Sequence, residues 1–159
     1  MPIRESLGQM GLTLPPEQVV PETAVLTYRR LVRWGDVAYI AGHGPTWGGG
    51  WGSPLGKVGG DVSLEEAVAA ARLTALNVLA TIERELGDLD RVSCWLKVNG
   101  YVNAVPGFTD QARVVNGFSD LILELYGAEK LCARTSIGVA DLPFGMPIEV
   151  DAVIAWDGA

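Results

Sequence analysis

The chain has 159 residues, of which 12 are basic and 19 acidic, giving a formal net charge of −7; 48% are hydrophobic and 19% charged. This composition excludes a disordered tail or a low-complexity protein, and a chain of this size can bury enough surface to fold without a disulfide or metal staple. The acidic balance disfavours nucleic acid as a partner, because phosphate-backbone affinity comes from Lys and Arg.

No apolar stretch approaches the ~20 residues that span a bilayer. The opening MPIRESLGQMGL lacks the basic and then apolar regions of a secretory signal. Cys94 and Cys132 lie far apart without a C-x-x-C pattern, and His43 is the single histidine. These residues form no metal-ligand set and read as reduced thiols in a cytoplasmic protein. The charged share lies below the usual ~25%, which points to surface covered by other copies of the chain.

Residues 1–23 read as an N-terminal arm: Ile3, Leu7 and Met10 have the spacing of a helical turn, and Pro15, Pro16 and Pro21 then prevent regular helix. Residues 24–159 read as one domain. Within it, 24–34 and 37–41 are strand-like and meet around Gly35-Asp36, as in a hairpin. The glycine-rich stretch 42–60 reads as an irregular loop, functional or mobile. Its GSPLGKV segment departs from a phosphate-binding P-loop at two required places: Trp51 stands where the first glycine belongs, and Val58 lacks the hydroxyl. Trp47 and Trp51 read instead as anchors of that loop.

The clearest helix is 63–86, with Ser63 and Glu66 spaced for a capping box. Leu64, Val68, Ala71, Ala75, Val78, Ile82 and Leu86 form its apolar stripe. Gly87 ends it. Residues 91–102 alternate as a strand, with Val92, Cys94, Leu96 and Val98 on one face and Ser93, Trp95, Lys97 and Asn99 on the other. A second helix covers 109–126, capped by Thr109 or Asp110, with Ala112, Val115, Phe118, Ile122 and Leu125 inward. Strands at 133–140 and 147–156 close the chain, the last with Ile148, Val150, Ala152, Ile154 and Trp156 on one face and Glu149 and Asp151 on the other. This order predicts an α+β fold: a sheet with two helices packed on one face and its other face covered by a second copy.

Three constellations could carry chemistry. His43 would have to serve any Ser-His-Asp triad, yet no G-x-S-x-G elbow is present, so a loop or pocket-lining role is the alternative. Arg134 lies in a strand pattern, where a guanidinium can offer a bidentate fork to a carboxylate. Glu149 lies on the polar face of the last strand, where it can hold or activate a water. Spacing alone leaves open that these two instead form a structural ion pair across strands.

The stretch ARTSIGVADLPFGMPIEVDAVI resembles the C-terminal signature of the RidA (YjgF) family: Arg134, then Leu142-Pro143, then Ile148-Glu149-Val150-Asp151-Ala152. GDVAYIAGHGP at 35–45 is similar to the family's early strand, and Val115-Asn116-Gly117-Phe118 to its asparagine-bearing helix. The GLTLPP arm and the helical run after Gly56 resemble a divergent subgroup.

The resemblance implies a RidA/chorismate-mutase-like homotrimer with clefts between subunits. Its activity would be hydrolytic deamination of small enamine or imine acids of the 2-aminoacrylate type to 2-keto acids and ammonia. That is the reaction of a 2-iminobutanoate/2-iminopropanoate deaminase, and it needs no metal and no organic cofactor. Arg134 and Glu149 would be catalytic, as carboxylate clamp and water holder. Tyr28, Gly42, His43, Asn116 and Ser136 would bind substrate. Two positions depart from the pattern: Ala41 stands where deaminases often carry serine, and Ser136 where they often carry cysteine. The alternative reading is a non-catalytic trimer that binds a small carboxylate metabolite in the same cleft.

Overall fold

The computed structural model describes residues 1–17 and 27–158. Its elements in chain order are α1 (Ile3–Gln9), β1 (Leu31–Trp34), β2 (Val37–His43), β3 (Thr46–Trp47), β4 (Gly50–Trp51), α2 (Leu64–Leu86), β5 (Val92–Asn103), α3 (Gln111–Tyr126), β6 (Ala133–Val139) and β7 (Ile148–Trp156). The expected strand at 24–34 is shorter than its pattern suggests. It begins at Leu31, and its residues 24–26, like 18–23 of the arm, lie outside the described residues. The arm's helical turn is α1, and its Ile3 and Leu7 are buried in the main core.

Local chemistry sets the long helix. The Ser63 hydroxyl accepts from the Glu66 backbone N–H, and the Glu66 carboxylate accepts from the Ser63 N–H at 2.9 Å, which completes the capping box. Gly87 ends the helix with a left-handed φ of 85°. The second helix starts differently from expectation. Asp110 occupies its cap position without a side-chain capping bond and lies 3.8 Å from Arg113 instead.

Both helices cover one face of a five-stranded sheet ordered β1-β2-β7-β5-β6. Only β5 and β6 run parallel; the other neighbours are antiparallel. Along β7 the expected alternation holds, with Ile148, Val150, Ala152, Ile154 and Trp156 buried. Along β5 it does not. Register shifts between Val92 and Cys94 and between Trp95 and Lys97 turn Trp95 inward and leave Leu96 exposed. The reason is aromatic packing: the Trp95 ring meets Phe118 at 5.8 Å and Tyr126 at 5.9 Å, both edge-on, contacts worth about 0.5–1.5 kcal/mol each beyond their buried area.

The helix stripes also shift. Leu64 and Val68 are half-buried and Ala112 is exposed, whereas Val114, Gly117 and Leu121 are buried. Helix–helix contact competes with helix–sheet contact here, because α2 and α3 pack closely on each other. Gly117 permits that approach: a Cβ there would overlap the Val68 carbonyl oxygen of α2. We expect Gly117→Ala to destabilise the fold by about 2 kcal/mol, the overpacking cost exceeding the gain in helix propensity. A urea midpoint equal to or above that of the wild type would refute this account.

Candidate functional site

The site begins at an irregularity in β2. Ile40 pairs with Ala152 and His43 with Val150, so three steps along β2 match two along β7. The extra residue makes a bulge at Ala41-Gly42, a device that re-aims side chains. It directs His43 into the helix layer, where the ring is buried. His43 Nδ1 lies 2.7 Å from the Ala41 carbonyl oxygen, and Nε2 lies 2.8 Å from Thr81 Oγ1. The Ala41 carbonyl can only accept, so Nδ1–H donates to it, and Thr81 Oγ1 also accepts an Arg84 N–H at 3.1 Å. At neutral pH the ring is uncharged, which leaves Nε2 to accept the Thr81 hydroxyl proton. Burial lowers its pKa to about 4, against the raising effect of the Ala41 carbonyl and with further lowering from Arg30 and Arg84. One helical turn earlier on α2, Asn77 donates to the Thr46 carbonyl and accepts from the Thr46 hydroxyl. The helix thus holds the start of the glycine stretch at two points. That stretch is not wholly irregular: β3 and β4 pair within it as a short hairpin.

On the opposite face, Glu149 lies directly over Gly42, and a Cβ on that glycine would overlap Glu149 Oε1. The two carboxylates of β7 that share this face are treated differently. Asp151 accepts from Asn99 Nδ2 at 2.8 Å and from the Tyr101 hydroxyl at 2.9 Å. Glu149 has no such donor among the described residues, and burial, with the nearby Asp151 charge, raises its pKa. Glu149, Gly42 and Tyr28 line a cavity of about 150 Å³, with His43 on its wall and Trp51, Phe144 and Met146 along one side.

The remaining candidates gather elsewhere. Arg134 pairs in register with buried Val98, and so faces the helix layer at the edge strand β6. Its guanidinium donates to Asn116 Oδ1 at 2.8 Å, Ser119 Oγ at 3.0 Å and the Ala112 carbonyl at 3.3 Å. All three acceptors are neutral, and among the described residues Arg134 enters no ion pair. Ser136, next along the same face, has a buried hydroxyl without a partner among the described residues. The structure thus sorts six of the seven candidates into two sets on opposite faces of the sheet. Tyr28, Gly42 and Glu149 form one set, and Asn116, Arg134 and Ser136 the other; His43 borders the first set's cavity but turns its ring into the helix layer. The cross-strand ion pair between Arg134 and Glu149 does not form.

Several contributing residues escaped the sequence reading. Ser119 shares the Arg134 contact because it lies one turn after Asn116. Phe144 and Met146 follow the Leu142-Pro143 pair in a connection whose resemblance assigned them no role. Asn103, buried at the end of β5, donates to the Gly56 and Met146 carbonyls and accepts from Lys57 Nζ at 2.9 Å. Lys57 also reaches Asp141 at 3.0 Å and the Ala140 carbonyl. These bonds tie the glycine stretch to the β6–β7 connection.

Residues 19–149 match the model of the YjgF/chorismate mutase-like, putative endoribonuclease family. Over 153 residues, covering 96% of this chain and 92% of the relative, the sequence is 40% identical to Protein TCP17 of Trypanosoma cruzi. The crystal structure of Atu1372 from Agrobacterium tumefaciens, of unknown function, superposes with a TM-score of 0.87 at 35% identity, covering 98% of this chain and 92% of that one. A putative endoribonuclease from Shewanella oneidensis MR-1 shares the fold with a TM-score of 0.88 at 24% identity, covering 98% and 99%. The chain belongs to the YjgF (RidA) family.

The buried imidazole makes a pH prediction. Its folded pKa of about 4 lies below the ordinary 6.5, so between these values the unfolded chain binds more protons. The stabilisation is complete above pH 6.5 and is lost as pH falls towards 4, by about 3 kcal/mol in all. Glu149, with a raised pKa, acts in the opposite sense. Because it is common to wild type and His43→Asn, their difference isolates the histidine. Urea unfolding at pH 7 and pH 4.5 should show a smaller acid loss in the variant; an equal loss in both proteins would refute the assignment.

Proposed function

We propose that the chain assembles as a homotrimer that hydrolyses 2-imino acids to 2-keto acids and ammonia. In this reading residues 24–159 form one domain with 1–23 as its arm, and the Asn116–Arg134–Ser136 edge of one subunit closes over the Tyr28–Gly42–Glu149 pocket of the next. One observation carries the reading: among the described residues, a guanidinium with only neutral acceptors and a carboxylate without a donor occupy opposite faces of one sheet. Within a subunit they cannot serve one ligand; across an interface they can. A closed symmetric ring repeats the same contact at every junction.

The chemistry asks little of the protein. Arg134 grips the substrate carboxylate through two N–H groups. The imine carbon is already electrophilic, and Glu149 holds a water against it and accepts the proton as the water adds. A carboxylate with a raised pKa is a better base for this step than an ordinary one. Proximity supplies several kcal/mol of the barrier reduction. The net charge of −7 and a carboxylate in the pocket argue against RNA as substrate. Reduced Cys94 and Cys132 fit a cytoplasmic setting. Among the described residues no helix is long and apolar enough to cross a membrane.

The test is subunit complementation. Arg134→Ala and Glu149→Ala should each abolish acceleration of imine hydrolysis. Trimers reassembled from an equal mixture should recover about one quarter of wild-type activity, the fraction of junctions that carry both intact groups. A mixture that stays inactive while wild type is active would rule out the shared site. Failure of wild type to accelerate any imine, with a 2-keto acid still raising its melting temperature, would favour the non-catalytic binder.

A further inference from the structure

The pocket offers more apolar wall than the small side chain of a 2-aminoacrylate-type substrate can use. Trp51, at the end of the β3–β4 hairpin, and Phe144, in the turn before β7, come from separate loops, yet their ring centroids lie 5.7 Å apart at a tilt of 44°. Gly44 lets the Met146 thioether enter beside them, since a Cβ at that position would overlap the sulfur. Sulfur and aromatic edges attract. The cavity's volume of about 150 Å³ matches that of an apolar protein cavity known to take up benzene.

Phe144 adds an independent sign. Its backbone is held at φ 60° and ψ 10°, the one non-glycine among the described residues with positive φ. A bulky side chain adopts this conformation at a cost. Its ring is nonetheless 80% exposed, so packing within the chain does not offset that cost. Ligand contact would.

We propose that the Trp51–Phe144–Met146 side of the pocket receives a planar aromatic ring, so that the preferred substrates are aromatic 2-imino acids and Trp51 and Phe144 set this specificity. The inference rests on the imine-hydrolase reading of the same pocket. With the ring against this wall, the reacting carbon lies towards Gly42 and Glu149. Water oxygen bonds to that carbon as Glu149 takes a proton; the C–N bond then breaks as the nitrogen takes up protons and leaves as ammonium. The balance is R–C(=NH2+)–COO− plus H2O giving R–C(=O)–COO− plus NH4+, with no redox change.

The experiment uses the full chain and imines generated in place by an amino-acid oxidase from phenylalanine and from alanine, with imine loss followed by competition with semicarbazide. In wild type, kcat/KM for the phenylalanine-derived imine should exceed that for the alanine-derived imine by about tenfold or more, the discrimination a shaped apolar pocket can supply. The ratio should collapse towards one in Trp51→Leu and in Phe144→Gly. The glycine variant relieves the positive φ, so its melting temperature should equal or exceed that of wild type and misfolding cannot explain the change. A wild-type ratio of one or less, with the alanine-derived imine accelerated, overturns this inference and leaves the imine-hydrolase reading standing. A ratio unchanged in both variants also overturns it. Acceleration of neither imine overturns both.

Discussion

A pleated strand sends successive side chains to opposite faces, and a sheet with helices on one face makes those faces unequal. Arg134 and Glu149 come under this constraint on strands separated only by β5. Arg134 shares the helix-facing row with Val98, while Glu149 alternates with buried Ile148 and Val150 and so faces away. Both groups are thus denied each other, and neither is neutralised by another charge among the described residues. Hydrogen bonds to Asn116 and Ser119 orient the guanidinium without cancelling it. The bulge at Ala41-Gly42 sharpens the division, with an imidazole sent inward and bare backbone left beside the carboxylate.

Much of the fold was legible in the residues. The capping box at Ser63 and Glu66, the stop at Gly87 and the alternation of the last strand are local signals, and local signals survive folding when tertiary packing agrees with them. The helix layer on one face followed from element order and length, whereas the strand order β1-β2-β7-β5-β6 did not. What failed was decided by tertiary packing. Strict alternation assigned Trp95 to the polar face, but a ring of that size gains more between Phe118 and Tyr126 than an unbroken ladder would gain, so the strand bulges twice around it. The helix stripes shifted for a similar reason: pattern marks a face turned to the sheet and is blind to a second helix.

The site was legible in part. Glycine at 42 and glutamate at 149 carry recognisable sequence context, and the structure brings them into contact. Their separation from Arg134 was not legible, because alternation fixes faces only once the register of neighbouring strands is known. His43 was singled out as the one histidine, yet nothing in the sequence showed that Thr81, thirty-eight residues on, would take its second nitrogen. The aromatic wall was equally hidden. Trp51 and Phe144 belong to loops joined by a Gly56 N–H to Gly145 carbonyl bond and by polar bonds to Asn103 and Lys57.

That brace divides labour within the molecule. The mouth of the pocket is braced by polar bonds, from the Asn103 amide, the Lys57 ammonium and the Gly56 N–H to the Gly145 carbonyl, while the folded body stands on apolar packing between helices and sheet. Loops anchored at their base can change at their tips without disturbing the interior. Over evolutionary time such a scaffold can trade one side-chain preference for another by drift at two or three tip positions, keeping its thermodynamic margin intact while its chemical diet diversifies.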